Sequence, residues 1–448
     1  MKHKAVKKID VREKLTAAYI MAMGSLFLIY PGTAGYGGIT KEKWVTYLLF
    51  SAVYAVGMFV LGIKTVTKEK NGVASLAQRV KGLSAAEVLL MIFLGVTLLS
   101  ALCSVHPQTA LLGGKRLEGF VTIAAYVICC LLIARHGAAE KKLLWSFGVG
   151  ASLCGLVAVI QFFGKNPLSL YPAGVNYYDG NKLYLGEYLG TIGNVDLLSA
   201  VLCVVIPVCW IGLLVLKSKE KWLLAIPLVI SLGVLLKMFV AGGILGVFGG
   251  ALLTLPVLAK EKKTRRVLAA AVALLMVLAL GAVYAVGDSI GGFVAEASQI
   301  LHGNVDDSFG SGRIYIWREV LKLVPERLLL GGGAETLGLR TNAAFERYDE
   351  DLQVFIRAAV DVAHNEYLNI LVNQGLLALA AYLGALLLAA KGWIAHAAED
   401  PAVAICGGAV LAYSIQAVFG ISSPISAPFF WIVFGLLLNA LRKYSEKQ

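Results

Sequence analysis

The run IGNVDLLSAVLCVVIPVCWIGLLVL (residues 192–216), the patch KSKEK (217–221), the run WLLAIPLVISLGVLLKMFVAGGILGVFGGALLTLPVLA (222–259) and the patch KEKKTRR (260–266) decide the fold class between them. Crossing the hydrocarbon of a bilayer takes about 20 apolar residues in a helix. The first run has that length and the second has twice it. Inside lipid only helices and closed barrels satisfy their own backbone groups, and an apolar run without period-two alternation is helical. Ala241-Gly242-Gly243 divides the longer run, which predicts two helices joined by a tight turn there.

Outward from this stretch the pattern recurs. Further spans are predicted at 15–31, 44–63, 85–103, 119–134, 143–163, 267–286, 366–390, 402–420 and 427–441, about twelve in all. The whole chain agrees, at 58% hydrophobic and 15% charged residues with a mean hydropathy of +0.76. Its seven cysteines all lie in or beside apolar runs and read as small buried fillers. The first run lacks an A-x-A cleavage site and reads as a retained span. The expected fold is therefore all-α: a polytopic transmembrane helix bundle with a large, partly helical extracytoplasmic loop.

The net charge of +12 is distributed as an orientation signal. Cytoplasmic connections carry an excess of Lys and Arg. With both termini in the cytoplasm, that side receives the patches around Lys2–Lys14, Lys64–Lys81, Arg135–Lys142, Lys217–Lys221, Lys260–Arg266, Lys391 and Arg442–Lys447. No basic stretch is interleaved with stacking aromatics, so nucleic acid is not an expected partner. The chain divides into residues 1–286 (nine spans, with an outer loop near 164–190), an outer segment at 287–364 and three spans in 365–448. The expected location is the cell membrane, in contact with its lipid.

Most residues able to carry chemistry fall on the outer side. In Gly310-Ser311-Gly312-Arg313, Ser311 reads as a helix cap and Pro325 as the stop. Trp317, Leu321 and Val324 form an apolar stripe between them. Arg313 then stands in a first helical turn, where it opposes the dipole unless an anion binds beside it. The alternative is a solvated arginine paired with Asp306 or Asp307. His364-Asn365 sits at the mouth of the tenth span, where the imidazole suits general base work and the pair equally suits a helix cap. Lys115 and Arg116 end the fourth span and Lys237 interrupts the seventh, each a snorkelling cation or an anion contact. Tyr171, Tyr177, Tyr178, Tyr184 and Tyr188 form either a sugar-stacking surface or an interfacial belt. Glycines at 331–333 would let backbone approach a ligand. Tyr348-Asp349-Glu350-Asp351 reads as a solvated turn rather than a metal site.

These pieces, in this order, resemble the O-antigen ligase and polysaccharide polymerase superfamily of integral membrane glycosyltransferases. The matching stretches are Gly190-Thr191-Ile192-Gly193-Asn194, Ser311-Gly312-Arg313 with Trp317, and Pro325 with Leu330-Gly331-Gly332-Gly333. Then come His364-Asn365 with Tyr367-Leu368, Gly375-Leu376-Leu377, and Phe430-Trp431 with Gly435-Leu436. The resemblance implies inverting transfer or polymerisation of a glycan from a polyprenyl diphosphate, such as undecaprenyl diphosphate, at the outer face, with no metal or other cofactor. The acceptor would be a glycan, a lipid or, in protein O-glycosylating relatives, a polypeptide. Arg313 and His364 are the implied catalytic pair. Arg116, Lys115, Lys237, Asn365, Trp317, Tyr178 and Asn194 are the expected substrate contacts. The family often places Ser-Arg-Gly where this chain has Ala241-Gly242-Gly243, and an uncharged residue where it has Asp196. Lys237 or Arg116 would have to supply the absent charge. A transporter or flippase without chemistry would instead place its charges at the midplane of broken helices.

Overall fold

The computed structural model describes residues 10–68, 82–139, 141–171, 189–349 and 354–445. Among them the chain is mostly helical. The helices are α1 (Val11–Ala22), α2 (Ile39–Lys68), α3 (Ala85–Leu102), α4 (Pro107–Leu112), α5 (Phe120–His136), α6 (Lys141–Phe162) and α7 (Val195–Val215). They continue as α8 (Lys219–Met238), α9 (Ala241–Leu258), α10 (Lys262–Ile290), α11 (Gly292–Leu301), α12 (Phe309–Leu323) and α13 (Leu337–Arg340). After the strands β1 (Ala344–Asp349) and β2 (Val354–Ala359) come α14 (Glu366–His396), α15 (Pro401–Gln416) and α16 (Ala427–Ser445).

Eight described helices are long and apolar enough to cross a membrane: α2, α3, α6, α7, α8, α9, α10 and α14. The other four expected spans fall on helices that miss this standard. α5 and α15 are apolar but shorter. α1 stops at Ala22 and continues as a π turn over Met23–Phe27. α16 ends in Asn439, Arg442 and Lys443, which lower its hydropathy. The centre of the bundle is α7, whose apolar window is 78% buried. It packs against α15, while α3 lies along α14 and α5 along α16. By contrast only 6% of the α10 window is buried, as suits a helix facing lipid.

The basic helix ends gather on one face. Glu87, which closes a capping box with Ser84, also takes Arg135 at 3.1 Å and Arg442 at 3.4 Å. Asp400 pairs with Lys443, and Arg12 donates to the Leu61 carbonyl.

Three local readings need correction. The break between α8 and α9 is not at Ala241-Gly242-Gly243. It falls at Phe239, which is left-handed (φ 52), and Val240. Gly242 and Gly243 are helical and buried, the first beside Phe419 and the second against Ser199. Ser311 is no helix cap. Gly310, Ser311 and Gly312 are all left-handed (φ 63, 58 and 83), so regular helix in α12 starts only at Arg313. The buried side of α12 is Gly312, Ile316 and Val320, whereas Leu321 is 52% exposed. Residues 287–364 are partly helical and also hold an antiparallel hairpin of β1 and β2, with Ala344 opposite Ala359 and Asp349 opposite Val354.

The glycine run at 331–333 has a structural use. α14 is broken at Gly375 (φ 88, ψ 174). An unbroken helix would bond the amides of Leu376 and Leu377 to the carbonyls of Val372 and Asn373. Instead those amides go to the Leu328 and Leu329 carbonyls at 2.8 and 3.3 Å. The freed Val372 and Asn373 carbonyls accept from Gly332 and Gly333 at 3.2 and 2.7 Å. Arg340 adds bonds to the Val372 carbonyl and the Asn373 side chain, at 2.9 and 3.0 Å. These four backbone groups opened by the break are thereby satisfied by the turn inserted into it. No side chain fits between: a Cβ at Gly331 would strike Asn373, and one at Gly375 the Leu329 carbonyl.

Candidate functional site

Six segments far apart in sequence meet beyond the end of this break. Arg313, at the start of α12, sends Nη1 back to the Gly310 carbonyl at 2.6 Å. Its Nε donates to the Phe419 carbonyl in the connection between α15 and α16, at 3.2 Å. Its Nη2 is 3.9 Å from Asp196 in the first turn of α7, outside hydrogen-bond range. The expected alternative partners are otherwise engaged: Asp307 pairs with Arg318, and Asp306 accepts from Ser308. Arg313 thus has a fixed stem and donor capacity left over, which is what an anion site requires.

His364 is held out in a strained backbone conformation, φ 48. Its neighbours explain how. The Ala363 carbonyl accepts from the Trp317 indole at 3.0 Å, and the Asn365 side chain caps α14 by accepting from Leu368 at 3.0 Å. Burial pushes the His364 imidazole down to about 4, and the guanidiniums of Arg313 and then Arg116 push the same way, against Asp361. Two cations from separate segments therefore act on one ring, and the ring stays neutral at physiological pH. Left-handed residues other than glycine cost about 1–3 kcal/mol each and cluster at working sites. Here Leu117, Ser311, Glu335 and His364 all lie in the loops around this point.

Arg116 is placed by acids. Glu335 accepts from the backbone amides of Gly114, Arg116 and Glu118 at 2.8, 2.5 and 2.7 Å, which folds the 113–118 loop around one carboxylate. The Arg116 guanidinium then forms a two-pronged pair with Asp361, at 3.0 and 3.2 Å. Behind it Glu118 accepts from the Tyr126 hydroxyl at 2.5 Å. Burial raises the Glu118 carboxyl to about 8, and Glu335 and Glu366 add to the rise.

Of the residues expected from sequence, Arg313, His364, Arg116, Trp317 and Asn365 come together here. Trp317 and Asn365 hold backbone in place, and Trp317 also packs 6.3 Å from the Phe419 ring. Asn194 caps α7 by accepting from Leu197 at 3.0 Å, two residues before Asp196. Lys115 is exposed. Lys237 does not join the group: its ammonium lies over the Phe162 ring, 4.3 Å from the centroid, where α6 and α8 end. Tyr178 lies outside the described residues, as do Tyr177, Tyr184, Tyr188, Glu350 and Asp351, while Tyr171 stacks on Tyr36. Sequence reasoning missed Glu118, Glu335, Asp361 and the Phe419 carbonyl. The only signal for Glu118 was its position two residues after Arg116.

Comparison with known proteins gives one family. Residues 226–383, from α8 into α14, match the family described as O-antigen ligase. No curated protein matches the chain.

Proposed function

We propose that this chain, which carries the O-antigen ligase domain over residues 226–383, is a membrane glycosyltransferase. It takes a glycan from a polyprenyl diphosphate and passes it to a hydroxyl acceptor at the outer face. The observation that most supports this is Arg313, fixed at the Gly310 and Phe419 carbonyls with Nη2 left over, in a site close enough to His364 for its charge to act on the imidazole. A base and an anion receptor are the two groups such a transfer needs.

In this reading the acceptor hydroxyl gives its proton to His364 as its oxygen attacks the anomeric carbon. The bond from that carbon to the diphosphate oxygen breaks, and its electron pair leaves with the diphosphate. Attack opposite the leaving group inverts the anomeric centre. Negative charge grows on the diphosphate, and Arg313 is assigned to stabilise it. Removing one donor aimed at such developing charge costs about 10²–10³ in rate.

The test is transfer by the purified protein in liposomes, with a polyprenyl-diphosphate glycan and an acceptor glycan. The expected result is release of polyprenyl diphosphate with product, reduced about 10²-fold or more in Arg313→Ala and similarly in His364→Ala, both at normal protein level. Full activity in either variant would remove that residue from the mechanism. Absence of any transfer by the wild type would remove the proposal.

A further inference from the structure

The transfer step uses Arg313 and His364 and leaves unexplained why three backbone amides of one loop converge on a single side chain. Residues 113–119 join α4 to α5 and belong to no helix. Both ends of this loop are tied: the Gly113 amide donates to the Thr109 carbonyl at 2.8 Å, and the Leu117 carbonyl accepts from the Thr122 hydroxyl at 2.6 Å. Between those ties, among the described residues, the hydrogen bonds of residues 114–116 go to Glu335 and Asp361 alone. One Glu335 oxygen takes the Gly114 and Glu118 amides, and the other takes the Arg116 amide. Converging N–H groups match the two acceptor oxygens of a carboxylate. Glu335 is itself held. The next residue, Thr336, donates its amide and its hydroxyl to the Gly333 carbonyl at 3.2 and 2.7 Å. The Gly333 amide in turn donates to Asn373 in the break of α14. A side chain anchored on that packed turn thus fixes a loop without regular structure.

We propose that Glu335 is a positioning residue of this site: its carboxylate holds the Arg116 backbone so that the guanidinium stays on Asp361, three residues before His364. Its purpose rests on the transferase reading above, since it matters to turnover only if His364 takes the acceptor proton. The Arg116–Asp361 pair holds itself only weakly. The two side chains are 31% and 37% exposed, and ion pairs in contact with water add little on their own. The pair needs fixed backbone on both sides, and Glu335 supplies it on the arginine side. The charges that act on the His364 ring are Arg313 from α12, Arg116 from the loop and Asp361 from its own segment. Loss of the Glu335 charge therefore has two effects of opposite sign. Acting directly, the loss of a negative charge lowers the imidazole further. Acting through Arg116, it withdraws a cation that lowers the ring and unpairs Asp361, which raises it, so the imidazole rises.

The experiment uses the full chain in lipid nanodiscs, with carbon-labelled histidine rings, and reads the His364 titration by NMR. Its signal among the six histidines is the one missing in His364→Gln. Glu335→Gln keeps the size of the side chain, but its amide nitrogen must face at least one of the three N–H groups. The expected result is a rise of the His364 midpoint by about one pH unit. Glu335→Asp keeps the charge, withdraws it by one methylene, and moves the midpoint the same way. On an Arg116→Gln background, Glu335→Gln adds no further rise, because the two residues act as one unit; a general loosening of the site would add one. Three results would overturn the proposal: an unmoved or lowered midpoint in a folded Glu335 variant, a rise that persists in full on the Arg116→Gln background, or failure of both Glu335 variants to fold. The transfer assay reads the underlying function separately. A shifted midpoint in a protein that transfers nothing removes the transferase alone, and full transfer with an unmoved midpoint removes the positioning role alone.

Discussion

At the scale of single residues, the central feature is a histidine that stays neutral. A free imidazole titrates near 6.5, and burial pushes His364 down to about 4. A depressed base is active above its own value and loses activity as pH falls through it. So kcat/KM for the free enzyme should fall on the acid side near pH 4, not near 6.5. Arg116→Gln removes one cation that lowers the ring and leaves Asp361, which raises it, unpaired. The acid limb should therefore move to higher pH in that variant. A pH–rate profile with an unmoved or lowered limb would contradict the electrostatic account. The sequence marks Arg313 and His364 by position, one after Gly310-Ser311-Gly312 and the other before the capping Asn365. Glu118, Glu335 and Asp361 do not stand out, since nothing in the residues beside each one marks it. Their meaning comes from the 113–118 loop, to which only the folded chain brings Glu335 and Asp361.

At the scale of elements, the broken helix and the turn that fills it form one unit. Gly375 has a backbone conformation that is essentially confined to glycine, and its missing Cβ leaves room for the Leu329 carbonyl. Gly375→Ala should cost at least about 1–3 kcal/mol, seen as a lower Tm in detergent. Gly95→Ala is the control. It lies inside α3 with no heavy atom within 4 Å of where its Cβ would stand, so alanine there is neutral or mildly stabilising. Equal Tm changes in the two variants would mean that the turn is not keyed into the break. This element explains what the sequence could not show. The expected span at 366–390 has helical hydropathy throughout, and hydropathy does not register a missing pair of backbone bonds. The left-handed triplet before Arg313 was hidden for a related reason. Gly-Ser-Gly permits both a cap and a left-handed turn, and contact of Gly312 with the Phe345 ring selects the turn.

At the scale of the whole molecule, the apolar runs foretold a helical membrane protein, and eight helices satisfy that requirement. The positive patches further predict which face is cytoplasmic, and the cysteines make that testable without new labels. Among the seven, Cys103 is exposed and six are buried. Its carbonyl accepts from Arg327, within residues 287–364, at 3.0 Å, which places it on the side of Arg313 and His364. A membrane-impermeant maleimide should label right-side-out vesicles at Cys103, with labelling abolished in Cys103→Ser. Labelling only in inverted vesicles would reverse the topology and put the proposed chemistry on the wrong side for a lipid-linked donor outside the cell.

The whole account depends on an anion being received between segments that are distant in sequence. The most direct measurement is a cryo-EM map of the protein with a bound polyprenyl diphosphate. The account predicts the diphosphate within hydrogen-bond reach of Arg313 Nη2, with the His364 ring facing the anomeric position. A diphosphate seated on the opposite face, among Arg135, Arg442 and Lys443, or one leaving Arg313 bound only to Gly310 and Phe419, would contradict it.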